Sequence, residues 1–265
     1  MITVYGHTGV VGSQVYRWLR ERGVRIAGVS LDQRDGDADE IPEWAILCLP
    51  TLNDDAGQDQ DAIWTTCLRL AEQGCERVIV RSTTEPGTME ALARAFTGMT
   101  FYHWPEFLSA RTAWDDFTHP RVHVVGWSGE WGALDAWKRT MEPLLPEASE
   151  GVVYVALTTS EAIKYAHNLH GAMQVIYANQ MYDVCNQADA SWQDVREVLP
   201  LLGYVSERQR DAYWSVWKDG QRGYGGACFP KDVRALRRWL RRRRQPSELL
   251  DGMEAANARL RGVSA

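Results

Sequence analysis

A glycine-rich segment near the start of the chain constrains the fold more than any other feature. The segment GHTGVVG, residues 6–12, follows an apolar run at 1–5 and opens a helical pattern at 12–22. Glycines at a strand-to-helix turn let a pyrophosphate approach the backbone at the helix N-terminus. Asp32 follows a second strand-like run at 24–31, where a carboxylate can accept hydrogen bonds from an adenosine ribose. The pattern predicts a nicotinamide dinucleotide site that prefers NAD to NADP, although the nearby Arg34 makes that preference incomplete.

Strand-like and helical patterns alternate as far as residue 157, and the chain is mainly helical afterwards. Further strands are predicted at 45–49, Arg77–Val80, Thr100–His103, 122–125 and 152–157, with helices at Asp61–Gln73 and 131–141. This alternation predicts an α/β fold with a Rossmann-type, doubly wound parallel sheet. We therefore expect an NAD-binding domain at 1–157 and an all-α domain, catalytic and dimerising, at 158–265.

Composition and charge exclude several classes of protein. The net charge of −6 gives no general attraction to nucleic acid or to acidic membranes. No apolar run approaches the roughly 18 residues that a membrane helix needs, and the N-terminus has no basic leader. The 5 cysteines form no CxxC pair, and the histidines show no metal-ligand spacing. We expect a cytoplasmic protein without a bound metal.

A second glycine-rich segment surrounds one cysteine. The segment GYGGACFPKD, residues 223–232, places Cys228 behind glycines and before Pro230, which suits the first turn of a helix. A helix N-terminus stabilises a thiolate, and Asp232 would lie one turn further along the same face. On its own, the pattern also fits a glycine-rich turn with a buried structural cysteine.

The long helix predicted at 158–187 carries two polar residues on an otherwise apolar surface. Thr158 and Glu161 have the spacing of a capping box at its start. Lys164 and Asn168 lie one turn apart, where an ammonium and an amide can stabilise an oxyanion; alternatively, the lysine reaches solvent past apolar neighbours. The helix has more apolar surface than one small domain covers, which predicts either a homodimer or cover by the C-terminal helices at 247–260.

Six segments in order resemble the UDP-glucose dehydrogenase family of nucleotide-sugar dehydrogenases. They are the loop at 6–12, CLPT at 48–51, RSTTEPGT at 81–88, PEFL at 105–108, EAIKYAHN at 161–168 and GGACFPKD at 225–232. The resemblance implies oxidation of a primary alcohol, such as C6-OH of UDP-glucose, to a carboxylate. Two hydride transfers to NAD would pass through an aldehyde and a cysteine thioester.

The resemblance also implies roles for individual residues. Cys228 would be the nucleophile, Lys164 and Asn168 would stabilise the oxyanion, and Asp232 would position a water or the lysine. Glu106 would assist thioester hydrolysis and Thr83 would support the attacking water. Implied cofactor contacts are Gly6, Thr8, Gly9, Val10, Val11, Gly12, Asp32, Leu49, Pro50, Thr51, Ser82 and Thr83, and implied substrate contacts are Glu106, Phe107, Leu108, Lys164, Asn168, Tyr224, Gly225 and Gly226.

The sequence also departs from the family pattern. The first two glycines are separated by one extra residue, and the 265 residues include no counterpart of the family's second nucleotide-gripping domain. The arginines from Arg237 to Arg244 could form a phosphate-binding surface or a solvated helix end. Two alternative functions remain: a two-electron hydroxyacid dehydrogenase of the 6-phosphogluconate or 3-hydroxyisobutyrate type, and a non-catalytic nucleotide-binding remnant. Cys228 separates the first of these from the leading interpretation, because that chemistry has no use for a thiolate.

Overall fold

The computed structural model describes residues 1–53, 58–217 and 220–262, which form two compact units. Unit 1 spans Met1–Lys164 and unit 2 spans Tyr165–Ala265. The division lies inside helix α6, Leu157–Gln187, so that this helix contributes residues to both units. Within the described ranges, every helix is too short or too polar to span a bilayer.

Unit 1 contains one eight-stranded sheet in the order β3-β2-β1-β4-β5-β6-β7-β8. The strands are β1 Ile2–Tyr5, β2 Ile26–Val29, β3 Arg34–Asp35, β4 Trp44–Leu47, β5 Arg77–Val80, β6 Thr100–His103, β7 His123–Trp127 and β8 Val152–Ala156. The predicted α/β fold with a Rossmann-type sheet is confirmed, and most neighbouring strands are parallel as predicted. The sheet is not wholly parallel, however, because β3 pairs antiparallel with β2 and β7 pairs antiparallel with β6. The connection from β2 to β3 is too short for a parallel crossover.

The helices of unit 1 pack on both faces of this sheet. They are α1 Val10–Glu21, α2 Asp61–Gln73, α3 Thr88–Ala95, α4 Ala113–Thr118 and α5 Trp131–Thr140. Trp44 and Ile46 of β4 belong to one apolar core together with α1, whereas Ala45 and Leu47 belong to a second core together with α2. Burial on both faces explains why the central strands are apolar at successive positions instead of alternating.

Glu161 does not form the predicted capping box. Helix α6 begins at Leu157, directly after β8, so Thr158 already lies inside it. The fully buried Glu161 carboxylate instead accepts hydrogen bonds from Thr84 Oγ1 at 2.8 Å, Gly87 N at 2.7 Å and Met89 N at 3.0 Å. It thereby serves the orphan N–H groups at the start of α3, where a negative charge is favoured.

We expect Glu161 to make the stability of unit 1 depend on pH. Burial raises the pKa of Glu161 from 4.5 to about 7, although its three hydrogen-bond donors lower it. A raised folded-state pKa gives stability that is fully present below about pH 4.5 and is lost as the pH rises through about 7. In urea denaturation, the free energy of unfolding of the wild type should therefore fall by up to about 3 kcal/mol as the pH rises across this window, relative to that of Glu161→Gln. Glu147→Gln, an exposed control, should follow wild type; equal pH profiles for all three proteins would contradict the assignment.

Unit 2 is helical and contains most of α6. It continues with α7 Trp192–Val198, α8 Glu207–Tyr213, α9 Phe229–Arg242 and α10 Glu248–Arg261. Ala172, Val175 and Ile176 of α6 pack in one core with Leu250 and Met253 of α10. One apolar stripe of α6 is therefore covered by the C-terminal helix of the same chain, as the alternative to a dimer anticipated.

Candidate functional site

The first glycine segment forms a tight turn between β1 and α1 that only glycine can occupy. A Cβ on Gly6, which has a φ of +81°, would lie 2.3 Å from Cys48 O, and a Cβ on Gly12 would lie 2.1 Å from Gly6 O. Gly9 precedes α1 and supplies no side-chain acceptor to the first-turn N–H groups. This cradle fits a dinucleotide pyrophosphate, whose oxygens can accept hydrogen bonds from those groups.

Other predicted cofactor contacts follow β4 and β5 at the same edge of the sheet. Because β1, β4 and β5 are parallel neighbours, the residues after their carboxyl ends lie side by side. Ser82 Oγ accepts from Leu49 N at 2.9 Å and donates to Leu49 O at 2.7 Å, which ties these two loops together. Thr51 and Thr83 are buried in the same loops, and Pro50 lies between Leu49 and Thr51.

Lys164 and Glu106 form a buried ion pair in unit 1. Lys164 Nζ lies 2.9 Å from Glu106 Oε1 and donates to the Glu106 carbonyl oxygen at 2.5 Å. Burial would raise the pKa of Glu106, but the charge and hydrogen bond of Lys164 outweigh it, so the pKa is lowered. The glutamate is held ionised, and Leu108 N fixes its other oxygen at 2.7 Å. Lys164 therefore has a charged partner and does not extend to solvent.

Asn168 and Asp232 form a second buried polar group, in unit 2. Asn168 Nδ2 donates to Asp232 Oδ2 at 2.5 Å, and Lys231 Nζ lies 2.5 Å from Asp232 Oδ1. His167 Nδ1 lies 3.0 Å from Asn168 Oδ1, which orients the amide. A carboxylate with a donor on each oxygen is fixed in place and can in turn orient the amide beside it.

Cys228 is the N-cap of α9, and Pro230 follows in the first turn as predicted. Asp232 N donates to Cys228 O at 2.9 Å, which closes the first turn. Cys228 is exposed, whereas Cys67, Cys75 and Cys185 are buried, and burial raises the pKa of Cys67 to about 12. The alternative of a buried structural cysteine does not hold for Cys228. An exposed thiol at a helix N-terminus is suited to react as a thiolate.

Sequence and structural relatives agree on one family. Residues 158–259 match the central-domain model of the UDP-glucose/GDP-mannose dehydrogenase family. Over 217 residues the chain is 30% identical to a UDP-glucose 6-dehydrogenase of Rhizobium meliloti (strain 1021), an alignment that covers 78% of this chain and 48% of that protein. Residues 158–259 and the relatives thus point to the same family, the UDP-glucose/GDP-mannose dehydrogenases. It spans about half the length of the curated relatives that it matches.

Further members of the family agree over most of this chain. A UDP-glucose 6-dehydrogenase of Haloferax volcanii is 31% identical over 237 residues, covering 82% of this chain and 53% of that protein. The solved UDP-glucose dehydrogenase of Pyrobaculum islandicum superposes with a TM-score of 0.79 at 21% identity, over 97% of this chain and 68% of that one. For the UDP-D-ManNAc dehydrogenase of Pyrococcus horikoshii the TM-score is 0.82 at 17% identity, over 98% and 69%. These structures establish the shared fold.

The side chain of His7, which lies between Gly6 and Gly9 of the glycine loop, is buried. His7 Nε2 lies 3.0 Å from Asp35 Oδ2, and His7 Nδ1 lies 3.0 Å from Ser30 Oγ. A Cβ on Gly28 would come within 2.6 Å of the His7 ring, so β2 leaves space for it. Asp32, predicted to bind the ribose, is exposed in the bend before β3. Sequence reasoning missed the histidine, although a glycine inside a strand signals a close approach.

Arg81 is a second buried residue that sequence reasoning missed. It is 3% exposed, and its guanidinium lies 3.6 Å from the Trp104 ring centroid. Burial lowers the pKa of Arg81 to about 10, while Cys48 and Glu106 raise it. Its Nε and Nη1 have no hydrogen-bond partner among the described residues. Arg81 adds positive charge on the side of unit 1 that holds Glu106.

Two arginines of the Arg237–Arg244 cluster, together with the neighbouring Arg234, pair with carboxylates of α10. Arg234 pairs with Glu254 at 2.8 Å, Arg241 pairs with Asp251 at 2.6 Å, and Arg237 also pairs with Glu254. These pairs hold two helices together, and such surface pairs contribute little individually. The pairing favours the structural interpretation of Arg237 and Arg241 over a phosphate-binding surface.

Proposed function

We propose that this chain is the cofactor-binding and catalytic part of a dehydrogenase that oxidises a primary alcohol of a nucleotide sugar to a carboxylate. The observation that carries the proposal is the exposed Cys228 at the N-cap of α9, a helix whose first turn also places Asp232 in its hydrogen bond with Asn168. The names of the relatives point to a UDP-glucose-like substrate. In this proposal residues 1–157 bind the cofactor, and residues 158–265 supply the nucleophile.

NAD is the proposed cofactor, and it would be held by the glycine cradle of Gly6, Gly9 and Gly12 and by Asp32. When bound, NAD supplies the acceptor for one hydride in each of the two oxidation steps. The loops at 49–51 and 82–83 follow the neighbouring strands and complete the predicted contacts. Thr8, Val10 and Val11 belong to the same turn and the start of α1.

The first oxidation produces an aldehyde, and Cys228 then acts on it. Its thiolate adds to the aldehyde carbon and places a negative charge on the oxygen of a thiohemiacetal. Lys164 and Asn168 lie four positions apart on α6 and each carries N–H donors for that oxyanion. Loss of a hydride from the carbon leaves a thioester on Cys228 and accounts for the second pair of electrons.

Hydrolysis of the thioester needs a base and returns Cys228 to its starting state. Glu106 is ionised, so it can take the proton of an attacking water, whose position Thr83 would support. Asp232 would orient the water or the lysine. The carbon–sulfur bond breaks with Cys228 as the leaving group, so the carboxylate product is released and the Cys228 thiolate is regenerated. Phe107, Leu108, Gly225 and Gly226 are the proposed neighbours of the substrate.

The release of NADH on addition of a nucleotide sugar tests this function. Purified protein with NAD should raise the NADH absorbance with one of a panel containing UDP-glucose, GDP-mannose and UDP-D-ManNAc, and with a hydroxyacid it should not. NADH from 6-phosphogluconate or 3-hydroxyisobutyrate alone would move the assignment to the two-electron enzymes. NAD binding without turnover of any of these compounds would favour the non-catalytic remnant.

We also propose that unit 2 forms a homodimer. Leu201 and Leu202, in the short 3-10 helix Leu199–Leu202 that follows α7, are 76% and 63% exposed, and Val184 near the end of α6 is 55% exposed. Burying these exposed apolar side chains against a second copy of the chain is more favourable than leaving them in water. The family resemblance suggests that Arg208 or Arg210 of one subunit reaches the other subunit's site. Arg210 is paired with Glu197 at 2.8 Å, so Arg208 is the better candidate. Sedimentation at micromolar concentration should give about twice the 30.0 kDa chain mass; a monomer with full activity would contradict the dimer.

A further inference from the structure

Residues 221–227, which precede Cys228, lie in neither a helix nor a strand. Gly220, Gly223 and Gly226 have φ values of +73°, +73° and +75°, which only glycine adopts without strain. Such a loop has many accessible conformations before it is fixed. Its backbone groups therefore need partners from neighbouring elements if Cys228 is to keep one position.

Asn257 of α10 supplies two of these partners to a single residue of the loop. Its Oδ1 accepts from Tyr224 N at 2.7 Å, and its Nδ2 donates to Tyr224 O at 3.0 Å. Asn257 is 9% exposed, so both bonds are formed away from water. The Asn257 amide thus satisfies both the backbone N–H and the backbone C=O of Tyr224, as a neighbouring β-strand would.

The glycine that precedes Tyr224 is required by its backbone conformation and by the close approach of α10. A Cβ on Gly223 would lie 2.4 Å from Asn257 Oδ1, and a Cβ on Gly225 would lie 2.9 Å from the Arg261 guanidinium. Asn179 of α6 holds the other side of the loop, because its Oδ1 accepts from Arg222 Nε at 3.0 Å. The loop is therefore fixed between α6 and α10 of unit 2.

The Tyr224 ring connects this loop to the start of α9. It is 3% exposed and meets the Phe229 ring edge-on, with centroids 6.4 Å apart. Phe229 directly follows Cys228, so the chain is anchored at Tyr224 on one side of the thiol and at Phe229 on the other. Tyr224, predicted as a substrate contact, has its ring in the core and both backbone groups bound to Asn257.

Burying a side-chain amide on the apolar face of a helix costs desolvation free energy. Asn257 lies on α10 near Met253 and Ala256, whose side chains belong to the apolar core. Leucine would pack there without the cost of burying an amide, but it could not hold a backbone N–H and C=O. We propose that Asn257 is a positioning residue that fixes the Cys228 thiol for attack, an inference that rests on the proposed function of Cys228.

Two variants and one control test this role in the 265-residue chain. Asn257→Leu removes both bonds at similar volume, and Asn257→Asp keeps the acceptor for Tyr224 N but loses the donor to Tyr224 O. Met253→Ala is the matched control, because it loosens the core of α10 and leaves the amide in place. The readout is the rate of Cys228 alkylation by iodoacetamide across pH, after subtraction of the rate for Cys228→Ser.

We expect Asn257→Leu to move the alkylation profile to higher pH and to lower kcat for NADH release about 10–100-fold, since small displacements of a reacting group have effects of this size. Asn257→Asp should show a smaller change of the same sign. KM for NAD should stay constant, because the glycine cradle belongs to unit 1.

Three results would overturn the inference. These are a wild-type alkylation profile and kcat in Asn257→Leu, an equal shift in Met253→Ala, or, if the leucine variant does not fold, a wild-type profile in Asn257→Asp. Acid formation by Cys228→Ser would contradict the thioester mechanism instead. The alkylation profiles would still decide whether Asn257 positions the thiol.

Discussion

Cys228→Ser is expected to abolish formation of the carboxylate product while NAD binding is retained. A serine hydroxyl at the start of α9 ionises far less readily than a thiol, and an alkoxide is a poorer leaving group in hydrolysis. We expect kcat for acid formation to fall by on the order of 10³-fold or more, measured from product formed under saturating substrate. NAD affinity, measured by fluorescence titration, should be unchanged because the glycine cradle lies in unit 1.

Cys185→Ala provides the control for loss of a thiol. Cys185 is buried on α6 in the same unit as Cys228, so its replacement alters packing without touching the exposed thiol. This variant should lose some stability and keep its kcat. Undiminished acid production by Cys228→Ser would remove the covalent mechanism and favour direct oxidation of a hydrated aldehyde.

Lys164→Met is expected to lower both the stability of the protein and its kcat. The side chains of Lys164 and Glu106 are 3% and 11% exposed, so the substitution leaves a buried carboxylate without its cation. Breaking one side of a buried pair costs about 3–5 kcal/mol of stability. Loss of the oxyanion donor should also lower kcat about 10²–10³-fold. Urea denaturation and steady-state kinetics measure the two effects separately.

The double variant Lys164→Met with Glu106→Gln separates structural from catalytic contributions. Removing both charges should restore much of the stability, because no unpaired charge is then buried. Activity should stay at or below that of the single variant, since both the proposed oxyanion donor and the proposed base are missing. A double variant that regains both stability and activity would show that the ion pair is structural only.

The sheet was the part of the fold that the sequence predicted best. The bounds of α2, β5 and β6 agree with the predicted Asp61–Gln73, Arg77–Val80 and Thr100–His103. Apolar runs of four residues between helical patterns indicate strands that are buried on both faces. The two-residue β3 and the short α4 were missed, because neither is long enough to produce a period in the sequence.

Most of the contacts that could not be predicted from the sequence join residues that are far apart along the chain. Glu161 has the spacing of a capping box, but its partners Thr84 and Gly87 lie more than 70 positions away. The contact of His7 with Asp35 likewise depends on the return of the chain from β2 to β3. Cys228 and Pro230 were predictable because a helix start is a local feature. Local spacing identifies candidate residues, whereas tertiary contacts decide which groups they meet.

The ratio of NADH released to acid product formed tests the central claim most directly. With limiting nucleotide sugar and excess NAD, absorbance gives NADH and mass spectrometry gives the carboxylate. Two hydride losses from one carbon predict a ratio of two NADH per acid, with no aldehyde accumulating. One NADH per nucleotide sugar consumed, with an aldehyde or ketone and no acid as the final product, would contradict the thioester mechanism and assign the chain to two-electron chemistry.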